Sequence, residues 1–125
     1  MKYLILIYSN PASRQVWEGL SDAQRAEGLQ VYAALNEDLA ASGELIVSEA
    51  LADASLAKSI AVRDGQTMTT DGPFAEAKEH LAGFFLIECE SMERAIEHAA
   101  RIPEAAYGLV DVRPILNLNL NGLEM

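Results

Sequence analysis

A chain of 125 residues suffices for one domain and is too short for two of ordinary size; with half its residues hydrophobic it can bury a core without disulfide or metal staples. Nineteen acidic residues against nine basic ones leave a net charge of −10, which repels nucleic acid and anionic membrane and disfavours both as direct partners. The one cysteine, Cys89, excludes a disulfide within the chain and fits a reducing cytoplasm, and no apolar run approaches the ~20 residues of a membrane span.

Met1 to Tyr8 carries one positive charge before an apolar stretch, but it has no small-residue cleavage site and reads as a strand rather than a leader. Tyr3 to Tyr8 is apolar on both alternating faces, which predicts a strand in the middle of a sheet. Ser9 to Gly19, with Asn10-Pro11, reads as a loop. Ser21-Asp22-Ala23-Gln24 is a capping box, and a helix is predicted from there to about Ser42. Val31, Leu35 and Leu39 share one stripe of it, with Ala26, Leu29 and Ala33 beside them. Gly43 ends that helix, because glycine takes the left-handed conformation a helix end needs.

Glu44 to Leu51 is the next strand, followed by a polar connection over Ala52 to Ala57. Asp64-Gly65, flanked by Ser59–Arg63 and Gln66–Thr70, is a hairpin signal: its turn needs positive φ at both central positions. Asp71-Gly72-Pro73-Phe74 is a rigid turn, and Glu76 to Leu81 is compatible with one or two helical turns. Gly83 to Cys89 is a second strand apolar on both faces. Ser91 caps a helix that ends near Ile102-Pro103. Gly108 to Ile115 alternates and closes the sheet, and Leu116 to Met125 is an irregular or weakly extended tail.

Two helices cover only one face of a sheet, yet both central-type strands are apolar on two faces. The uncovered face is therefore expected to meet a second copy, sheet against sheet about a two-fold axis. The order of elements, with the first and third core strands central, fits a ferredoxin-like α+β sandwich over residues 1–125: an antiparallel sheet with two helices on one face.

Asp71-Gly72-Pro73-Phe74, followed by Glu76, Lys78-Glu79 and Gly83-Phe84-Phe85, resembles the signature of the DGPF proteins, a branch of the YCII-related superfamily. Met1-Lys2-Tyr3 through Ile7-Tyr8, Arg63-Asp64-Gly65, Ile102-Pro103, Tyr107-Gly108 and Val112-Arg113-Pro114-Ile115 extend the resemblance over nearly the whole chain. The resemblance implies a dimeric α/β barrel built on the ferredoxin-like fold. It implies a small-ligand binder or an enzyme of unassigned reaction. It also implies an association with extracytoplasmic-function sigma factors, hence the alternative role of an accessory interaction module. Some members of the superfamily carry a catalytic histidine–aspartate pair; here the histidines are His80 and His98, neither on or just after the first strand, so this chain departs from that pattern.

Among residues able to do chemistry, Asp71 either accepts N–H bonds within its turn or points into a cleft as a base or anchor. Gly72 is expected to supply an unusual backbone angle, and Phe74 to anchor the loop in the core. Glu76, Lys78, Glu79 and His80 make either a solvated face or, with Arg113, a polar site. Arg113 alternates with Asp111 on one strand face; its planar fork suits a carboxylate or phosphate, or is neutralised by Asp111 or Glu79. Glu88 must be paired, protonated or exposed at its strand's end. His98, among Arg94, Glu97 and Arg101, reads as a surface residue. Asp71, Glu79 and Arg113 are thus the catalytic candidates, and Glu76, Lys78, Tyr8 and Tyr107 the substrate-binding ones. Their cleft is expected near the dimer interface, with a small polar or anionic ligand, no metal and no cofactor. Chemistry and simple binding both remain open for it.

Overall fold

The computed structural model describes residues 1–75, 77–119 and 122–123. In chain order these form β1 (Lys2–Ser9), α1 (Pro11–Glu18), α2 (Asp22–Ser42), β2 (Leu45–Ala50), β3 (Lys58–Arg63), β4 (Gln66–Asp71), β5 (His80–Glu88), α3 (Met92–Ala99), β6 (Val110–Pro114), β7 (Leu118–Asn119) and β8 (Gly122–Leu123). Short 3₁₀ turns occupy Ala54–Leu56 and Pro103–Tyr107. The main sheet runs β2-β5-β1-β6 with every neighbouring pair antiparallel. The two strands that read as doubly apolar, β1 and β5, are the central pair. This is the ferredoxin-like order.

Register explains how the core is split. Tyr3, Ile5 and Ile7 of β1 lie opposite Ile87, Phe85 and Gly83 of β5. Their side chains are buried with Leu35 and Leu39 of α2, Ala95 and Ala99 of α3, and Ile102. The alternate residues, Leu4 and Leu6 against Leu86 and Phe84, form the outer face and are only half-buried. The second apolar face inferred from the sequence is therefore real, and helices cover one face alone. Gly83 is required by close approach: a Cβ there would stand 2.9 Å from the Glu49 carbonyl oxygen of the neighbouring β2.

Four local expectations change. Residues 11–18 are a helix, not a loop. The Asn10 side chain accepts from the Ser13 N–H at 2.8 Å, the Ser13 hydroxyl accepts from the Asn10 N–H at 2.9 Å, and Pro11 sits in the first turn where its missing N–H costs nothing. No residue of α1 is buried, and the caps at its start define where it begins. The stripe of α2 is turned: Gly28, Tyr32, Leu35, Asn36 and Leu39 face inward, whereas Val31 is 42% exposed. Phe74 is 74% exposed and anchors no core. Lys78 and Glu79 form a bend and Ala77 is irregular rather than helical, and β5 already begins at His80; Glu76 lies outside the described residues.

The β3–β4 hairpin forms as read, with Asp64 and Gly65 at φ of 51° and 76°. Gly72 has φ of 86°, the unusual angle its turn was expected to need. No described helix is long and apolar enough to cross a membrane.

Candidate functional site

α1 lies beside the first half of α2 rather than on the sheet. The Arg25 guanidinium sits 5.7 Å from the centre of the Trp17 ring, and Gly28 lies beside that ring. A cleft of about 850 Å³ lies between these helices and the end of the sheet where Ile7 pairs with Gly83. Ile7, Phe85 and Ala50 belong to its floor and Val16, Trp17 and Leu29 to its helical wall. Polar groups gather at one side. Tyr32 on α2 donates its hydroxyl to Glu104, which follows Pro103 in the 3₁₀ turn. One helical turn further, Asn36 accepts from the Ser48 hydroxyl of β2 at 2.6 Å. Burial, then the hydrogen bond and charge of Glu104, push the Tyr32 phenol well above the usual tyrosine range.

The residues singled out in the sequence are dispersed. Tyr8 and Tyr107 line the cleft. Asp71 does not: it ends β4 opposite Lys58, is exposed, and is held by the Lys58 ammonium rather than by turn N–H groups. Lys78 is exposed and also lines no part of the cleft. Glu79 borders a second, smaller hollow of about 570 Å³ between the hairpin and β5, with Ile60, Phe74 and Leu81. Arg113 is exposed on the outer sheet face, opposite Leu4, two residues from Asp111 opposite Leu6. Tyr8 follows Leu4 and Leu6 on that face. Its phenol is pushed up by burial first and by Asp111 second, while Arg113 pulls it down and Glu79 raises it. Tyr8, Asp111 and Arg113 thus stand together on the outer face, with the Glu79 charge near enough to act on the Tyr8 phenol and neither Asp71 nor Lys78 among them. Glu88 is exposed at its strand's end. Among the described residues no group of three or more His, Cys, Asp or Glu could hold a metal ion.

The family model described as the YCII-related domain matches residues 1–119. The chain belongs to the YCII-related domain family. An uncharacterized protein of Rhizobium meliloti (strain 1021) is 31% identical over 117 residues, covering 92% of each chain. Among solved structures, 5-chloro-2-hydroxyhydroquinone dehydrochlorinase (TftG) from Burkholderia phenoliruptrix, in complex with 2,5-dihydroxybenzoquinone, is similar at a TM-score of 0.51 and 20% identity, over 92% of this chain and 93% of that one. At that identity the likeness is one of fold.

Sequence reading missed two polar constellations of this YCII-related chain. Tyr32–Glu104 and Asn36–Ser48 join elements far apart in sequence, and only the four-residue spacing of Tyr32 and Asn36 hinted that both face one way. The other corrects the placement of His98, which is 5% exposed rather than a surface residue. Its Nε2 lies 3.0 Å from Glu44, the residue after the Gly43 helix stop. Arg94 donates to both Glu44 oxygens, at 3.1 and 3.3 Å, and Ser42 donates at 2.8 Å. This cluster stands at the Glu88 end of β5, remote from the Gly83 end that borders the cleft, so it braces the helices on the sheet rather than serving the cleft.

Proposed function

We propose that this YCII-related protein binds a small organic molecule in the cleft beneath α1 and α2, as a binding protein or as the first step of a cofactor-independent reaction. The observation that carries this reading is the cleft itself: its volume of about 850 Å³ falls in the range of ligand pockets, and its walls are apolar with a few convergent polar groups on one side. TftG supports it at the level of fold, since a chain of this architecture is described there with a small cyclic molecule. Trp17, the only tryptophan, lies on the wall and reports occupancy directly. A panel of small aromatic and alicyclic compounds is expected to contain members that change Trp17 emission saturably with Kd below ~1 mM and raise the melting temperature. Ser48→Phe, which fills the floor, should abolish both responses while keeping the native circular dichroism. A panel that leaves Trp17 and the melting temperature untouched would remove this reading.

A second reading concerns the partner. We infer that the outer sheet face is covered by a second copy, because Leu4, Leu6, Phe84 and Leu86 line up half-buried on the two central strands, on the face opposite the helix-packed core, and Val47 beside them is 37% exposed. Tyr8, Asp111 and Arg113 would then lie at that interface. Sedimentation should give a dimer for the wild type and a monomer for Leu6→Glu; an unchanged mass for the variant counts against the face.

A further inference from the structure

On the polar side of the cleft, three hydroxyls from three elements have their protons already committed. The Tyr32 hydroxyl donates to Glu104 Oε1, the Ser48 hydroxyl to Asn36 Oδ1, and the Ser13 hydroxyl to the Asn10 carbonyl at 3.0 Å. These three hydroxyls line the cleft and can only accept from a ligand, Asn36 keeps one amide N–H beyond its bond to the Tyr32 carbonyl, and Glu104 Oε2 is left for a further donor. Charge points the same way. Of the described charged residues around the cleft, Glu18, Glu49, Asp53 and Glu104 are acidic and Arg14 alone is basic. Arg14 lies 3.8 Å from Asp53, so that pair offsets one charge of each sign and leaves Glu18, Glu49 and Glu104 around the cleft. The walls supply the aromatic rings of Tyr32, Phe85 and Tyr107, whose faces attract cations, and that of Trp17, which already carries Arg25 on one face.

We infer that the ligand of this cleft is a cationic organic amine, with an apolar body against Trp17 and Phe85 and its ammonium on Glu104 and the hydroxyl lone pairs, and not the anionic metabolite that Arg113 suggested. The inference rests on the cleft being a ligand site and adds its chemical class. A carboxylate or phosphate entering beside Tyr32, Glu104 and Ser48 would meet acceptors and a carboxylate, the donors of the lining being Arg14, the Trp17 indole N–H and the Tyr107 hydroxyl elsewhere on its walls. An ammonium supplies three donors and a compensating charge.

The test uses three probes of one shape: phenethylamine, phenethyl alcohol and phenylpropionate, titrated against the intact protein at low salt with Trp17 emission and calorimetry as readouts. The amine is expected to bind about tenfold more tightly than the alcohol, because hydrogen bonds to an ionised group are the strong ones, and the carboxylate not measurably. Glu104→Gln should cancel the amine's advantage and leave the alcohol within about twofold. Should that variant fail to fold, Arg14→Gln serves instead: removing the one guanidinium should raise the amine's affinity about two- to threefold. Binding of alcohol or carboxylate as tight as the amine overturns the amine assignment and leaves the cleft a ligand site. So does an amine affinity unchanged in Glu104→Gln. Silence of Trp17 and calorimetry toward all three overturns the amine assignment, and the wider compound panel then decides the cleft.

Discussion

Replacing Ile5 with alanine is expected to lower the unfolding free energy by about 3–4 kcal/mol. Ile5 is fully buried on β1, a central strand, where it pairs with Phe85 on one side and Val112 on the other and packs with Leu35 and Leu39 of α2. Strands hydrogen-bonded on both flanks cannot move in to fill the void, so the loss combines transfer of the missing methyl groups with an unrelieved cavity. Ile60, of the same residue type, is 65% exposed on the β3–β4 hairpin, which stands outside the main sheet. Ile60→Ala should cost less than about 0.5 kcal/mol. Urea melts of the two variants check the contrast. Similar midpoint shifts would mean that the helix-covered face of β1 is not the core.

The fold was legible because its strongest signals are local and periodic. Tyr3–Tyr8 and Gly83–Cys89 had to be central strands, since an apolar run without alternation has no face to give to water, and β1 and β5 are the central pair. Asp64-Gly65 and Gly72 declared themselves through backbone angles that few residues adopt. α1 was not legible in the same way. None of its residues is fully buried, it is only eight residues long, and its Asn10 cap and Pro11 look in sequence like a loop. Val31 was misplaced because α2 is long enough for its first half to cover α1 instead of the sheet, and a stripe drawn through the whole helix averages two different neighbours.

Candidate sites were less legible, for a related reason. Charge density along the chain drew attention to Asp71–His80, but much of that density is spent locally: Asp71 on Lys58 across the hairpin, Lys78 in solvent. Tyr8, Glu79 and Arg113 do share an electrostatic neighbourhood, and Tyr107 does border the cleft. The polar pair that distinguishes the cleft, Tyr32 with Glu104, spans 72 positions and carries no spacing that sequence could register. His98 was misread for the complementary reason: with Arg94, Glu97 and Arg101 around it in sequence it looked solvated, while the residue that matters to it, Glu44, is 54 positions away.

That cluster sets the second large expectation. Burial alone would raise the Glu44 carboxyl, but hydrogen bonds from Arg94, Ser42 and His98 outweigh it and hold it at about 2 instead of the ordinary 4.5. A depressed folded-state value means stability that is fully present above about pH 4.5 and is lost as the pH falls toward 2. Glu44→Ala should therefore cost about 3 kcal/mol at neutral pH, because the 6% exposed His98 ring loses its acceptor and Arg94 its partner. The ring nitrogen facing a carboxylate must carry a proton, and an amide oxygen can still accept it, so Glu44→Gln should lose about half as much. The decisive comparison is pH. The stability gap between wild type and Glu44→Gln should therefore stay level in urea melts from pH 7 to about 4.5, where the carboxylate is ionised folded and unfolded, and narrow as the pH falls from about 4.5 toward 2. A gap that stays constant over that range would show that the hydrogen bonds, and not the ionised carboxylate, secure α3 to the end of α2.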